Sequence, residues 1–386
     1  MWKACTTLGR SLPVLASLVA QSPSAFADHD EVPYPPPQTT ANKLLPLSNL
    51  DRAGITVSGL SSGGFFAHQF HIAFSNLVHG AGIIAGGPFG CVEDIANPYF
   101  WFWYVPLDRV SAATLACTHY YGTLFYGLRP AAPRATDSLS FIRRAHAEGS
   151  IDDPANLATH RVWLFHGRDD RIVPRSTAEA LRGVYEGLGV QPPQLDIEWN
   201  ESGRVANHGM PVAQFLGESR FPKRECGQHE PPYIVQCGYE AAEALLRHLY
   251  PGPFAKAWDN PHRDGTLVLF DQSEFFTGPE TTLSIHRVGY LYVPHACQEA
   301  RCRLHVAFHG CRQDTASIHD DFVRDAGYNR SAATNNIVVL YPQATTSSDN
   351  PNRCWDFWGY TGQDYYRHNG RQMRTVKAMV DRLLGP

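Results

Sequence analysis

A Gly-x-Ser-x-Gly pattern between a strand-like and a helix-like segment most constrains the fold of this 386-residue chain. The pattern occupies residues 59–63, after the β-branched run 55–57 and before the apolar segment 65–74. A serine on a sharp strand-to-helix turn exposes its hydroxyl, and flanking glycines allow that turn without Cβ clashes. The context predicts a nucleophile elbow with Ser61 as the candidate nucleophile. Because Gly/Ser-rich turns are common, the rest of the chain has to decide between a site and an accidental match.

Two later segments supply candidates for an acid and a base. The apolar run 161–165 leads into His-Gly-Arg-Asp-Asp, in which Asp170 is the expected acid and Asp169 the rival. Either could instead lie on a solvated turn. His208 follows an alternating, strand-like segment at 195–199. Most of the 18 histidines are expected to be structural. His208 differs because it completes the order Ser, Asp, His that is found on one class of parallel sheet.

The charge balance excludes one class of partner. The chain has 33 Lys and Arg against 37 Asp and Glu, for a formal charge of −4. No basic stripe interrupts this balance, so a nucleic-acid partner is not expected. A hydrophobic content of 43% and a charged content of 18% are globular values.

The first 27 residues resemble a secretory signal peptide. Lys3 and Arg10 are basic, residues 12–20 form a short apolar core, and Ala25-Phe26-Ala27 fits a cleavage site. The apolar run is too short to span a bilayer, so we expect export and removal rather than membrane anchoring. A disordered N-terminus is the alternative. The proline-rich residues 28–47 are expected to form an extended arm.

Cysteine usage is consistent with export. One of the nine cysteines lies in the signal segment, and the other eight are an even set. Local spacing favours two disulfides, and the remaining cysteines would form two more by default: Cys226–Cys237 and Cys297–Cys302, then Cys311–Cys354 and Cys91–Cys117. About 105 connectivities are open to eight cysteines, so this pairing is one hypothesis among many. No cysteine spacing is typical of a zinc site, and no metal is expected.

The order of elements is unusual for a chain with such a triad. A strand at 304–308 enters His309-Gly310-Cys311, a second strand covers 337–343, and an amphipathic helix covers 371–384. In an ordinary α/β hydrolase these pieces precede the nucleophile strand. Joining the two ends of the chain restores the usual order. We therefore predict a single circularly permuted α/β-hydrolase domain with a mostly parallel central sheet over residues 48–386, including a connector at about 251–283.

A split into two domains near 251–283 is the competing interpretation. It would leave the C-terminal half with too few elements to cover a parallel sheet of its own. An aromatic cluster at 99–126 is better explained by core packing than by a substrate surface.

Six short motifs stand out along the chain, at residues 59–64, 85–88, 237–239, 270–272, 292–294 and 304–311. Together they resemble the extracellular poly(3-hydroxybutyrate) depolymerases with the circularly permuted, type II catalytic domain. The last of these, Leu-His-Val-Ala-Phe-His-Gly-Cys, is the most specific, because ordinary esterases do not carry it after the triad. The resemblance extends over most of the chain from about residue 50.

The resemblance implies roles for individual residues. It implies Ser61 as nucleophile, Asp170 as the orienting acid and His208 as the base. It also implies an oxyanion hole formed by the N–H groups of Ser62 and Cys311. No cofactor is implied.

In this family a tryptophan after the oxyanion segment lies against the polymer chain. Trp355 and Trp358 are both candidates here, and core packing is the alternative for each. No separate polymer-binding domain is expected within these residues. We expect a monomer whose only partner is a polyester or oligoester substrate, without membrane association.

The expected function is that of a secreted serine esterase, extracellular or periplasmic, that hydrolyses poly(3-hydroxybutyrate) or its oligomers. A secreted esterase of feruloyl or short-chain acyl esters is the alternative enzyme, and a preference for soluble p-nitrophenyl esters over polymer would indicate it. A polymer-binding protein with an inactive site is a third hypothesis, and the complete Ser, Asp and His set argues against it.

Overall fold

β-branched and aromatic runs form the strands of a central sheet in the computed structural model of this chain. The structure describes residues 41–93, 109–118, 132–201, 203–215, 219, 221–257 and 264–385. Within these ranges, eight strands form the sheet: β1 (Leu50–Leu60), β2 (Gly80–Ile84), β3 (Arg161–Phe165), β4 (Leu195–Glu198), β8 (Gly265–Asp271), β9 (Val288–Pro294), β10 (Cys302–Phe308) and β11 (Ile337–Tyr341).

The strand order is β4-β3-β2-β1-β10-β11-β9-β8, and β9 alone among these strands runs in the opposite direction to the others. The prediction of an α/β fold with a mostly parallel sheet is therefore confirmed.

Helices cover both faces of this sheet, as a parallel sheet requires. Their bounds are α1 (Ser62–Ala73), α2 (Arg109–Ala116), α3 (Ala135–Ala147), α4 (Arg175–Gly187), α5 (Ala241–Leu249), α6 (Glu280–Leu283), α7 (Thr315–Ile318), α8 (Asp321–Asp325), α9 (Tyr328–Asn335) and α10 (Arg371–Leu384). Short 3-10 helices lie at Pro154–Thr159, Gln272–Phe275 and His295–Gln298. The helices predicted after the elbow and at 371–384 are both present.

The two halves of the chain meet in the middle of the sheet. β1 pairs in parallel with β10, and Ile55 and Val57 lie opposite Leu304 and Val306. The ends of the described chain are also in contact, because the Leu47 N–H donates to a carbonyl of α10, Leu383 O, at 2.8 Å. This is the arrangement that a circularly permuted order requires.

Alternating side chains of each strand enter two different cores. In β11, Val338 and Leu340 pack into the core on the side of α1 and α10, whereas Val339 and Tyr341 face α5 and α9 on the other side. This period of two is that of a strand buried on both faces.

A small three-stranded sheet lies beyond the main one. It consists of β5 (Met210–Val212), β6 (Arg224–Glu225) and β7 (Ile234–Gln236), in the order β5-β7-β6. Both of its pairings are parallel. The sequence did not indicate this sheet, because its strands have only two or three residues and lack a readable alternation. It follows His208 directly.

All eight cysteines outside the signal segment form disulfides. The pairs are Cys91–Cys117, Cys226–Cys237, Cys297–Cys302 and Cys311–Cys354. The predicted pairing is confirmed for each of them.

Several predicted segments differ from the structure or lie outside it. Within the connector at about 251–283, the apolar run 267–270 predicts a short strand. The structure has the longer edge strand β8 there, because it pairs with β9 along its whole length. The signal segment 1–27, the arm up to residue 40 and most of the aromatic cluster at 99–126 lie outside the described residues. Among the helices that the structure describes, none is both long and apolar enough to cross a bilayer.

Candidate active site

Ser61 lies on a strained turn between β1 and α1. Its backbone has φ 56° and ψ −124°, a conformation that L-residues rarely adopt. The backbone passes so close to itself that a Cβ on Gly59 would lie 2.2 Å from the carbonyl group of Gly63. A Cβ on Gly63 would lie 2.4 Å from the carbonyl oxygen of His309. A side chain would therefore clash with the backbone at either glycine of the Gly-x-Ser-x-Gly pattern.

Two backbone N–H groups beside Ser61 are available to an incoming anion. Ser62 is the first residue of α1, and its N–H has no intrahelical acceptor. Gly310 lies against Ser61, since a Cβ on Gly310 would be 3.4 Å from the Ser61 Cβ. The next residue is Cys311. Within the part of the chain that the structure describes, the Cys311 N–H has no hydrogen-bond acceptor.

The side chain of His309 fixes the direction of the Cys311 N–H. His309 Nε2 accepts from the Ala344 N–H at 3.0 Å, so the ring proton is on Nδ1, which donates to Gly310 O at 2.7 Å. Burial lowers the pKa of His309, which keeps this neutral tautomer. The carbonyl and N–H of one trans peptide point in opposite directions. The Cys311 N–H therefore points away from His309.

Two further contacts hold the segments that carry the N–H groups of Ser62 and Cys311. The Cys311–Cys354 disulfide joins the oxyanion segment to a loop after β11. In that loop the Trp355 N–H donates to Ser62 Oγ at 3.3 Å. The segments that carry both N–H donors are thus attached to the same stretch of chain.

Asp170 and His208 form a buried pair at the same edge of the sheet. His208 Nδ1 donates to Asp170 Oδ2 at 2.8 Å, and Asp170 Oδ1 accepts from the N–H groups of Ile172 and Val173, both at 2.9 Å. Burial acts to raise the pKa of Asp170, but the charge and hydrogen bond of His208 outweigh it, so the pKa lies below its usual value. With the proton on Nδ1, the Nε2 atom of neutral His208 is an acceptor.

Asp169, the alternative acid, has different surroundings. The side chain of Asp169 is 55% exposed and lies 3.6 Å from the guanidinium of Arg168. Of the two neighbouring carboxylates, only Asp170 contacts His208.

The backbone of His208 is held on both sides. Its N–H donates to Asn207 Oδ1 at 2.8 Å, and its carbonyl accepts from His229 Nδ1 at 2.7 Å. Burial, together with the nearby His208, lowers the pKa of His229. The rings of His208 and His229 meet edge to face, with centroids 5.4 Å apart.

The two candidate tryptophans differ in their surroundings. Trp355 is completely buried and packs against Phe66 and Phe308, which favours core packing over substrate contact. Trp358 is 6% exposed and packs against Tyr360, with 4.8 Å between the ring centroids. The indole N–H groups of both tryptophans are buried and lack a partner among the described residues, so exposure alone makes Trp358 the better candidate for a contact with substrate.

Three residues beside the site were not identified from the sequence: His229, His309 and Gln313. The spacing His-Gly-Cys-Arg-Gln was the available signal for the last two, because a polar side chain three residues after a glycine can reach back to its N–H group. His229 gave no such signal. Within the described residues, no group of three or more His, Cys, Asp or Glu side chains is arranged to hold a metal ion.

Two relatives with similar sequences are named for the same activity. The chain is 38% identical over 345 residues to the poly(3-hydroxybutyrate) depolymerase of Delftia acidovorans, covering 88% of this chain and 61% of that relative. It is 29% identical over 361 residues to the polyhydroxybutyrate depolymerase of Talaromyces funiculosus, covering 89% and 93%. The chain thus spans about three fifths of the length of the bacterial relative. No family model matches the chain.

Solved structures give the same result. A serine-to-alanine variant of a PHB depolymerase complexed with an R3HB trimer has a TM-score of 0.70 and 27% identity. The PHB depolymerase from Penicillium funiculosum has a TM-score of 0.69 and 27% identity. Each match covers 89% of this chain and 99% of the other. Sequence, fold and the six motifs agree, because in each of them the chain is similar to poly(3-hydroxybutyrate) depolymerases.

Proposed function

We propose that this protein is a serine esterase that hydrolyses poly(3-hydroxybutyrate) or its oligomers through an acyl-enzyme. The observation that carries the proposal is a set of groups at one edge of the sheet. It consists of the strained Ser61 turn, the Asp170–His208 pair and two N–H groups for which the described residues provide no acceptor. A solved relative that holds an R3HB trimer supports an oligoester as the substrate. The buried pair argues against a protein that only binds polymer.

In the proposed acylation, Ser61 Oγ attacks an ester carbonyl carbon while His208 Nε2 takes the hydroxyl proton. The carbonyl oxygen becomes an oxyanion, which the N–H groups of Ser62 and Cys311 hold. Each such donor lowers the barrier by about 2.7–4 kcal/mol. When the ester C–O bond breaks, His208 gives its proton to the departing alkoxide, and one half of the oligoester leaves as an alcohol.

In the proposed deacylation, water takes the place of that alcohol. His208 removes a proton from the water as it attacks the acyl-enzyme, and then returns the proton to Ser61 Oγ. The 3-hydroxyacyl product leaves with a new carboxyl group. Throughout, Asp170 holds the imidazole tautomer and stabilises the imidazolium, and its low pKa keeps it ionised.

Clearing of polymer suspensions tests this proposal. We expect the protein to clear amorphous poly(3-hydroxybutyrate), and Ser61→Ala to lose clearing and soluble-ester hydrolysis by at least about 10³-fold, because the acyl-enzyme cannot form. Ser140→Ala is the control, since Ser140 lies on α3 and its hydrogen bonds are to residues of that same helix. Hydrolysis of p-nitrophenyl esters without polymer clearing would contradict the substrate, and full activity of Ser61→Ala would contradict the mechanism.

We also propose that the protein is exported. The support is the signal-like pattern at residues 1–27 and the four disulfides, which persist in oxidising compartments. We expect protein recovered outside the cytoplasm to begin at Asp28, as determined by N-terminal sequencing. Recovery of the full-length chain in the cytoplasm with free thiols would contradict export.

A further inference from the structure

Gln313 joins two loops of the candidate site. Its side chain is almost completely buried, with 1% of the residue exposed. Its Oε1 atom accepts from the Gly310 N–H at 2.8 Å. Its Nε2 atom donates to Pro232 O at 2.9 Å and to Tyr233 O at 3.3 Å. One amide group thus contacts the oxyanion segment at one end and the 229–233 loop at the other.

In the oxyanion segment, Gln313 holds the backbone of Gly310, the residue that precedes the donor Cys311. Its own N–H donates to Gly310 O at 3.2 Å, so Gly310 is bonded to Gln313 through both of its backbone groups. Gly310 supplies the carbonyl half of the peptide whose N–H belongs to Cys311. The position of that N–H therefore depends on Gln313 as well as on His309.

On the other side, Gln313 reaches the segment that holds the base. Tyr233 O, which accepts from Gln313, also accepts at 2.8 Å from the N–H of Met210, two residues after His208. In the same loop, His229 donates to His208 O. The backbone of His208 is therefore attached to the loop that Gln313 contacts.

A buried glutamine can also serve only to stabilise a fold. Asn335 shows that role for an amide in this chain, because it accepts from Ala255 N at 2.7 Å and donates to Ala255 O at 3.1 Å and Ser331 O at 2.8 Å. It lies beside the start of β10, where Arg303 donates to its carbonyl, at the opposite edge of the sheet. The hydrogen bonds of the Gln313 side chain, in contrast, end on loops of the site.

We propose that Gln313 is a positioning residue that sets the distance between the oxyanion donor Cys311 and the base His208. This inference rests on the proposed function. Both groups must meet the reacting ester at once, and catalytic groups act well only within about 0.5 Å of their productive positions. The two groups come from distant parts of the chain, and a side chain bonded to both loops maintains their separation.

Enzyme kinetics on p-nitrophenyl butyrate tests the inference. We expect Gln313→Ala to lower kcat by about 10–100-fold and to change KM by less than about threefold, because misplaced catalytic groups affect the transition state more than substrate binding. The second variant is Gln313→Glu, which keeps an acceptor for the Gly310 N–H and loses both donors to the 229–233 loop. We expect a similar fall in kcat for Gln313→Glu, because the connection between the loops is broken.

A second measurement separates positioning from stability. A trifluoromethyl ketone forms an oxyanion on the active-site serine, so its inhibition constant should rise in the same proportion as kcat/KM falls. Asn335→Ala is the matched control. It loses a comparable set of buried hydrogen bonds, so we expect its thermal midpoint to fall as far as that of Gln313→Ala, with kcat within about twofold of the unmodified protein.

Three outcomes would overturn the inference. One is a kcat of Gln313→Ala within about twofold of the unmodified protein. Another is a full kcat for Gln313→Glu, which would show that only the Gly310 contact matters. The third is an equal loss of kcat in Asn335→Ala. If any of these occurs while Ser61→Ala is inactive, the proposed function stands and only the inference fails. Activity retained by Ser61→Ala would overturn both.

Discussion

Asp169 and Asp170 are adjacent carboxylates with opposite surroundings. Asp170 is buried against His208 and two backbone N–H groups, whereas Asp169 is mostly exposed beside Arg168. An exposed ion pair contributes about 0–1 kcal/mol to stability. In the proposed mechanism, the carboxylate of Asp170 fixes the tautomer of His208 and so takes part in every turnover.

The two residues therefore make a matched pair for mutation. We expect Asp170→Asn to lower kcat on a soluble ester by about 10⁴-fold, because an amide at this position favours the wrong tautomer of His208. We expect Asp169→Asn to keep kcat within about twofold. Steady-state kinetics on the same soluble ester measures both variants. A larger loss in Asp169→Asn than in Asp170→Asn would show that the acid has been assigned to the wrong residue.

At this scale, residues within a local motif were predictable and residues that contact across loops were not. Ser61, Asp170 and His208 each follow a strand, so chain order alone suggested them. The sequence favoured Asp170 over Asp169, and the structure adds that only Asp170 contacts His208. His229 contacts the backbone of His208, and Gln313 contacts Pro232 and Tyr233. These contacts join distant loops, and spacing in the sequence indicates only the local contact of Gln313 with Gly310.

Among the elements, α1 is unusual because all of its residues are buried. It carries two histidines into the core: His71 bonds to Tyr185 and His160, whereas both ring nitrogens of His68 lack a partner among the described residues. Burial lowers the pKa of His68 to about 3. The helix that begins directly after the candidate nucleophile thus contains a buried polar group for which the described residues provide no hydrogen bond.

This burial predicts a contribution to acid sensitivity. Unfolded histidine titrates near pH 6.5, so between about pH 6.5 and 3 the unfolded state binds one proton more at His68 than the folded state. The stability that depends on neutral His68 is therefore complete above about pH 6.5 and is lost as the pH falls. The slope is at most about 1.4 kcal/mol per pH unit.

His68→Leu should remove this contribution. We expect the variant to be at least as stable as the unmodified protein at about pH 7, and to lose stability less steeply between about pH 6.5 and 4.5. Urea unfolding at several pH values measures the slope. Ile72→Val, also on α1, is the control: it should lower stability by about 1 kcal/mol at every pH and leave the slope unchanged. An unchanged slope in His68→Leu would contradict the prediction.

Elements with a clear period were predictable, and short ones were not. The bounds of α10 follow from its amphipathic spacing, and β10 and β11 follow from their apolar runs. β5, β6 and β7 have two or three residues each, too few to display a period. β8 exceeded its predicted length because pairing with β9 extends it beyond its apolar residues.

At the scale of the whole molecule, sheet order and chain order differ. Leu47 bonds to α10, and Arg52 Nη2 donates to the carbonyls of Leu384 and Gly385. The start and the end of the described chain thus meet beside β1. Pro251 and Gly252, by contrast, are exposed between the two halves. Joining the two ends beside β1 and opening the chain at the exposed residues Pro251 and Gly252 would leave every strand with the same neighbours.

A rearranged gene tests this property. We expect a chain with Gly385 joined to Ala41 through a flexible linker of about ten residues, and opened between Gly252 and Pro253, to fold and to keep ester hydrolysis within about tenfold. The same linked chain opened between Val306 and Ala307, inside β10, is the control and should be insoluble. Circular dichroism and ester kinetics measure the outcome. Failure of the first opening with normal expression would contradict the prediction.

The position of β1 between β2 and β10 has a consequence for synthesis on the ribosome. β1 emerges early, whereas its partner β10 begins at Cys302. Ile55 therefore has no pairing residue on this side until Leu304 has been synthesised. At translation rates of about 5–20 residues per second, one edge of the strand that carries Ser61 stays unpaired for roughly 12–50 s. The Cys311 donor emerges later still. In the proposed mechanism, a ribosome-bound fragment that ends before Cys311 lacks one of the two oxyanion donors, so we expect it to hydrolyse no ester.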